Sequence, residues 1–358
     1  MKKVFSLLLV LAVALSLVGC KGGSTPSAKK MQVGFVTDLG GISDKSFNQT
    51  SWEGIMKYAG EVGLKEGEDV KYLQSNSDSD YVPNLTSFAD EGVDLIVAAG
   101  FLFSDAIDEV AAKYPDQKIL IIDVDWDHGE NLQQAVFAEH EGSFLVGVVA
   151  GLAAKEAGVP KVGFVMGMEN ATMGKFYAGY ELGVKTVYPE CEILYDNASN
   201  FASPEIGKTL AAKQFNAGAY VVYHAAGGTG IGVIQEAAER RSKGEDVWAI
   251  GVDTDQWQYG VYDGTNSAVL TSMMKRVDVA SYNAVKAVGD GTFKGGVIVY
   301  DLKANGVGIP ASNPSFANDR FANIDFDGAL KEYTDKIISG AIVVPEASPS
   351  GRGVGAGS

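Results

Sequence analysis

Short apolar runs that end in glycine or aspartate alternate with helical patterns twice over along this chain, and that rhythm constrains the fold more than any single motif. The first round reads as strands at 33–37, 70–74, 95–99 and 118–123, separated by helices at 46–62, 81–91 and 104–113, with Asp80 as an N-cap. Apolar strands divided by helices predict a parallel sheet covered on both faces. A short strand at 135–138 and a Gly- and Ala-rich apolar helix at 141–156 lead into the second round. There, strands at 161–166, 192–195, 220–225 and 247–252 alternate with helices at 173–188, 203–217 and 229–243. Two rounds of one order predict an α/β protein of two similar lobes, each a doubly wound parallel sheet. A chain of 358 residues, 46% hydrophobic and 21% charged, can bury cores of that size.

The rest of the chain is too short of elements for a third lobe. A strand at 268–272, a helix at 277–288, a strand at 297–302, a turn-rich loop at 305–318, a helix at 326–339 and a strand at 342–344 read as returns to the two lobes. Several crossings make a hinge with a ligand cleft. The expected division is 31–138 plus about 254–290 for the first lobe and 139–253 plus about 291–344 for the second, followed by a disordered Gly- and Ser-rich tail at 345–358.

The N-terminus differs in kind. Lys2 and Lys3 precede an apolar run at 4–18 that is too short for a comfortable membrane span, and Leu17-Val18-Gly19-Cys20 follows. Residues 1–19 read as a signal peptide ending in a bacterial lipobox, which makes Cys20 the lipid attachment point; an ordinary signal peptide with a chance cysteine is the other reading. The polar stretch KGGSTPSAKK completes a flexible tether over 20–30. These features predict a membrane-anchored lipoprotein outside the cytoplasm. Cys191 is the remaining cysteine, so an acylated Cys20 excludes an intramolecular disulfide, and no motif around Cys191 suggests reactivity. The formal charge of −16 becomes about −18 once Lys2 and Lys3 leave with the signal peptide. Such a field repels nucleic acid and anionic lipid, which excludes both as electrostatic partners.

Strand ends carry the candidate chemistry, because ligands of open α/β sheets sit outside the carboxyl ends of the strands. After the strand at 33–37 come Asp38, a glycine turn, and Ser46, Phe47 and Asn48 at a helix mouth. Asp38 as a turn cap, Phe47 as core and Asn48 as a solvated helix start is one reading. The other is a binding surface, since a buried amide needs partners. The stretch DVDWDHGE from Asp123 spaces three acids like an EF-hand, but the sixth and twelfth positions are His128 and Gln134 where that loop needs Gly and Glu. Asp123 therefore reads as a carboxylate aimed into the cleft, and the scattered His128, His140 and His224 have no zinc spacing. No metal or cofactor is expected. AAGGTGIG, with Gly227 and Gly228, is a turn between strand and helix where backbone N–H groups can approach a ligand. It lacks the features of a P-loop and of a dinucleotide fingerprint. Asp253 ends another apolar strand and is either a cap or a carboxylate for vicinal hydroxyls, with Lys275 nearby as a further donor. Phe201 is either core or a stacking face. No nucleophile elbow and no paired Cys and His appear, so no enzyme is expected.

Four motifs together resemble the basic membrane protein family of bacterial surface lipoproteins, which includes purine nucleoside receptors: TDLGGISDKSFNQTSWEG at 37–54, HAAGGTGIGV at 224–233, IGVDTDQ at 250–256 and LTSMMKRVD at 270–278. The resemblance spans about 31–344. It implies a type I periplasmic-binding-protein fold, a monomer that captures a nucleoside between its lobes and delivers it to an ABC permease. Carried over, Phe47 and Phe201 stack on the base, with Phe176 as the substitute for Phe201. Asn48 and Asp123 address the base, Asp253, Lys275, Gly227 and Gly228 hold the ribose, and Asp38 and Ser46 line the cleft. A same-fold receptor for a sugar or small signalling molecule, or an adhesion lipoprotein without a cleft ligand, is the alternative.

Overall fold

The computed structural model describes residues 30–126 and 129–353. The expected signal peptide, Cys20 and nearly all of the expected tether lie outside the described residues, as do residues 127–128 and 354–358.

Two sheets form the frame. In the first, β1 (Val33–Thr37), β2 (Val70–Gln74), β3 (Leu95–Ala99), β4 (Ile119–Ile122), β5 (Leu132–Phe137) and β11 (Gly296–Tyr300) take the order β11-β5-β4-β3-β1-β2, all parallel. In the second, β6 (Lys161–Met166), β7 (Glu192–Asn197), β8 (Val221–Ala225), β9 (Trp248–Asp253), β10 (Val269–Lys275) and β12 (Val307–Gly308) take the order β12-β10-β9-β8-β6-β7, with only β12 antiparallel. The orders 5-4-3-1-2 and 10-9-8-6-7 are one topology used twice. β4 and β9 are counterparts, and so are the aspartates that follow or end them, Asp123 and Asp253.

β1, β3, β4 and β8 are buried along their whole length, as parallel strands covered on both faces must be. The first sheet is packed by α1 (Phe47–Val62), α2 (Tyr81–Glu91), α3 (Ser104–Lys113) and α8 (Val277–Gly289). The second is packed by α4 (Glu139–Ala157), α5 (Ala171–Val187), α6 (Pro204–Asn216) and α7 (Gly227–Ser242), with α9 (Phe326–Ile338) against α4. The small residues of α4 let it pack closely on α5. A Cβ on Gly147 would lie 2.5 Å from the Tyr180 carbonyl oxygen, so α4 and α5 meet backbone to backbone. One apolar core runs through both lobes from Phe35 to Phe164, and separate clusters around Ile96 and Ile234 fill the other face of each sheet.

The two lobes are as predicted, but the expected division of the last hundred residues is not what the sheets show. β10 joins β9 in the second sheet, whereas 254–290 was expected in the first lobe; β11 joins β5 in the first sheet, whereas 291–344 was expected in the second. The reason is that a strand's own residues do not name its neighbour. The chain thus passes between lobes at 137–139, 275–277 and 300–307. β12 lies in the expected loop, and no strand forms at 342–344. The described part of the expected disordered tail is fastened to α5 and β7. Ser348 donates to Glu181, and Arg352 donates to the Ile193 carbonyl at 3.1 Å and to the Tyr177 hydroxyl at 3.4 Å. Among the described residues no helix is long and apolar enough to cross a membrane.

Candidate functional site

The carboxyl ends of the two sheets face each other, and the loops that leave them enclose a cleft with about 530 Å³ of atom-free space, mouth included, a size that suits a small molecule. The first lobe contributes Asp38 after β1, Gly100 and Phe101 after β3, and Asp123 after β4. The second contributes Ala226 and Gly227 after β8, Asp253 from β9 and Lys275 from β10.

The loop into α1 is organised by an acid that sequence reasoning passed over. Ser46 is the N-cap by position but makes no side-chain cap hydrogen bond. Asp44 satisfies the orphan donors of the first turn in its place. Its Oδ1 accepts from the amides of Ser46 at 2.9 Å and Gln49 at 3.0 Å, and its Oδ2 from the Asn48 amide at 2.8 Å and Asn48 Nδ2 at 2.9 Å. Asn48 Nδ2 also donates to Asp38 Oδ1 at 2.7 Å, while its Oδ1 accepts from the Asp38 amide at 3.2 Å. Both amide donors of Asn48 are thereby used within the protein. Asn48 lines the cleft, but mainly as the clip that aims Asp38.

Asp38 is buried, and burial pushes its carboxyl up to about 6 against the pull of hydrogen bonds from Asn48 and Gly40. Asp44 is raised too, again chiefly by burial.

On the opposite wall, Asp253 accepts from the Ser46 hydroxyl across the cleft. Burial pushes Asp253 up to about 7, although Lys275 and Ser46 both pull it down. A second contact joins the lobes beside it, Gln256 Nε2 donating to the Lys45 carbonyl at 2.9 Å. Asp123 and Asp253 have φ of 69° and 68°, a left-handed conformation that costs a non-glycine residue about 1–3 kcal/mol and gathers at functional sites.

Lys275 is fully buried. Its Nζ lies 2.7 Å from each oxygen of Asp123 and 2.9 Å from Glu139 Oε1. Burial alone would lower its ammonium; Asp123, Glu139 and Asp253 outweigh burial and hold it above its ordinary range. The same Nζ sits 5.2 Å from the Phe47 ring centre, 5.1 Å from Phe137 and 5.4 Å from Phe176. Phe201 rests on Gly167, where a Cβ would come 2.2 Å from its ring, and meets Phe101 edge-on across the cleft with centres 6.1 Å apart. Phe176 and Phe201 both line the cleft.

Of the residues named from sequence, Asp38, Phe47, Asn48, Asp123, Phe201, Gly227, Asp253 and Lys275 converge on this cleft. Ser46 acts from behind through Asp253, and Gly228 packs on the Phe201 carbonyl and Asp44 rather than lining the space. Cys20 lies outside the described residues. Sequence reasoning missed Asp44, Phe101, Met173 and Glu139. Glu139 alone left a signal, an acid at the head of a long apolar run, where a buried charge needs a partner. Cys191 is a buried free thiol, pushed up to about 11 mainly by burial. Among the described residues no group of His, Cys, Asp and Glu side chains could hold a metal ion.

Comparison with known proteins places this geometry in a family. The model of a family described as ABC transporter substrate-binding protein PnrA-like matches residues 31–348. An ABC transporter nucleoside-binding protein of Lactococcus lactis is 35% identical over 350 residues, covering 94% of this chain and 97% of the relative. A lipoprotein of Pyrococcus abyssi is 36% identical over 316 residues, covering 85% of this chain and 75% of the relative. The crystal structure of an ABC transporter solute-binding protein from Aeropyrum pernix superposes with a TM-score of 0.79 at 30% identity, covering 88% of this chain and 94% of that one.

Proposed function

Because the chain belongs to the PnrA-like family of ABC transporter substrate-binding proteins, which bind their substrates and are not enzymes, we propose that it captures a nucleoside, and a purine nucleoside in particular, for import. The observation that carries this reading is the meeting, in one cleft, of aromatic rings with buried carboxylates and an ammonium from both lobes. Phe47 on one wall and Phe201 on the other stack on the base, each face contributing about 1–3 kcal/mol. Phe176 lies at the Lys275 end and closes the apolar wall. The base donates N–H groups to Asp38. Asp253 accepts from two vicinal ribose hydroxyls, and Lys275, with the backbone at Gly227, donates to the ribose oxygens. Asp38, Asp44, Asp123, Glu139 and Asp253 outnumber Lys275, so a phosphorylated nucleotide is repelled.

The protein works as a monomer on the outer face of the cytoplasmic membrane or in the periplasm, held by lipid on Cys20 and passing its cargo to an ABC permease. The lipobox and the lipoprotein relative support the anchor. Native mass spectrometry of freshly purified protein, followed by thermal shift with a nucleoside panel, tests the reading. A nucleoside-sized mass increment and stabilisation by inosine or guanosine are expected. Submicromolar binding of a nucleoside monophosphate, or no response to any nucleoside, would overturn it. For the anchor, a Cys20→Ala variant should move from the membrane fraction to the soluble fraction.

A further inference from the structure

Behind the cleft lies a buried acid that the Lys275 charge does not require. Asp123 alone neutralises Lys275, yet Glu139, only 1% exposed, places a second carboxylate 2.9 Å from the same ammonium. Among the described residues neither Glu139 oxygen has a hydrogen-bond partner of good geometry, and burying a carboxylate so poorly matched is unfavourable for the fold. Burial accordingly raises Glu139, against the pull of Lys275. Packing therefore does not account for this residue.

Its location does. Glu139 is the first residue of α4, immediately after the first crossing between lobes, and Lys275 is the last residue of β10, immediately before the second. Their contact ties two crossings together. The positive end of a 19-residue helix makes that position tolerant of a carboxylate. An ammonium has three N–H donors. The hydrogen bond to Asp123 uses one, the ion pair with Glu139 fixes the head from another acid, and a donor is left for the cleft that Lys275 lines.

We propose that Glu139 is a positioning residue of the ligand site: it holds the Lys275 ammonium at the lobe crossings so that it donates to the sugar hydroxyls of a bound nucleoside. This rests on the nucleoside reading above. Without Glu139, the ammonium is shared only between Asp123 in the first lobe and Asp253 in the second, and it swings toward one of them. The charged groups that bear on this arrangement are Asp123, Asp253 and Glu139 around Lys275, and Lys175 of α5 beyond Glu139.

The test is calorimetric titration of wild type, Glu139→Gln and Glu139→Asp with inosine and with 2′,3′-dideoxyinosine, which keeps the base and the 5′-hydroxyl and lacks the two vicinal hydroxyls. In wild type, inosine should bind much more tightly than the dideoxy compound. Glu139→Gln should shrink that preference about tenfold by weakening inosine alone, the size of one charge-assisted hydrogen bond. Glu139→Asp, which keeps the charge on a shorter arm, should fall between the two and serves as the reading if the Gln variant does not fold. Equal weakening of both compounds would make Glu139 a structural residue, and an unchanged preference would remove it from the site; either overturns the proposal. Wild type that binds inosine and its dideoxy analogue equally would also overturn the proposal, since no vicinal hydroxyl would then be recognised; wild type that binds neither would instead sink the nucleoside reading itself.

Discussion

Asp123 and Asp253 stand at the same place in two lobes of one topology, at the carboxyl ends of β4 and β9, both in the left-handed backbone region and both facing the cleft. Their surroundings differ. Asp123 has both oxygens against the Lys275 ammonium, a buried ion pair across the lobes. Among the described residues Asp253 is given only the Ser46 hydroxyl as a hydrogen-bond donor, and burial pushes it up to about 7. A duplicated frame has thus produced one carboxylate that is used up inside the protein and one that is left wanting donors. The second is the one suited to accept hydroxyls from a ligand, and the first holds the cation that helps it.

The comparison can be broken most forcefully at Lys275. Lys275→Met leaves Asp123 and Glu139 buried without a cation, a change that costs about 3–5 kcal/mol in buried pairs. Thermal or urea unfolding of the ligand-free protein should show a loss of that order, and a loss below about 1 kcal/mol would mean that water reaches these acids.

A second test separates the two aspartates by pH. A carboxyl raised on folding contributes stability that is fully present below its unfolded pKa and is lost as pH rises through the folded value. Asp253 and Asp38, at about 7 and about 6, therefore make the ligand-free protein less stable as pH rises from about 4 to 7. Asp253→Asn should remove the upper part of that decline in melting temperature. In the same variant nucleoside affinity should no longer rise with pH, because an ionised Asp253 is the form that accepts two hydroxyls. A wild-type melting temperature independent of pH across this range would contradict the assignment.

Ser46→Ala is the finest of these changes. It removes the donor that Asp253 receives from the opposite lobe and should weaken closure by about 1 kcal/mol. Since the Ser46 hydroxyl lowers Asp253, the pH step in affinity should also move upward. A step that stays in place would show that the hydroxyl does not hold Asp253 in solution.

Much of this was legible in the residues. β1, β2 and β3 and helices α2 and α3 begin and end where the apolar runs and helical patterns predict, because each is a local pattern. Most of the cleft could be named as well, since strand-end Asp and Gly residues must lie at the carboxyl edge of a parallel sheet. What stayed hidden depends on partners far along the chain. Nothing in VLTSMMK says that β10 pairs β9, and nothing in GVIVY says that β11 crosses back to β5. The roles inside the site were hidden for the same reason. Asn48 could be placed at the cleft, but not that Asp38 and Asp44 would take both its donors. Lys275 could be suspected of meeting a ligand, but not of being clasped first by Asp123 and Glu139.

The central claim, that the cleft between the lobes takes a nucleoside on the Phe47 ring, is tested most directly by titrating inosine into protein that has been unfolded and refolded to strip bound cargo, beside the Phe47→Ala variant. The account predicts saturable one-to-one binding to wild type, and in the variant a loss of about 1–3 kcal/mol of binding free energy with an unchanged melting temperature. Equal affinity in the two proteins, or no binding heat in wild type, would contradict it.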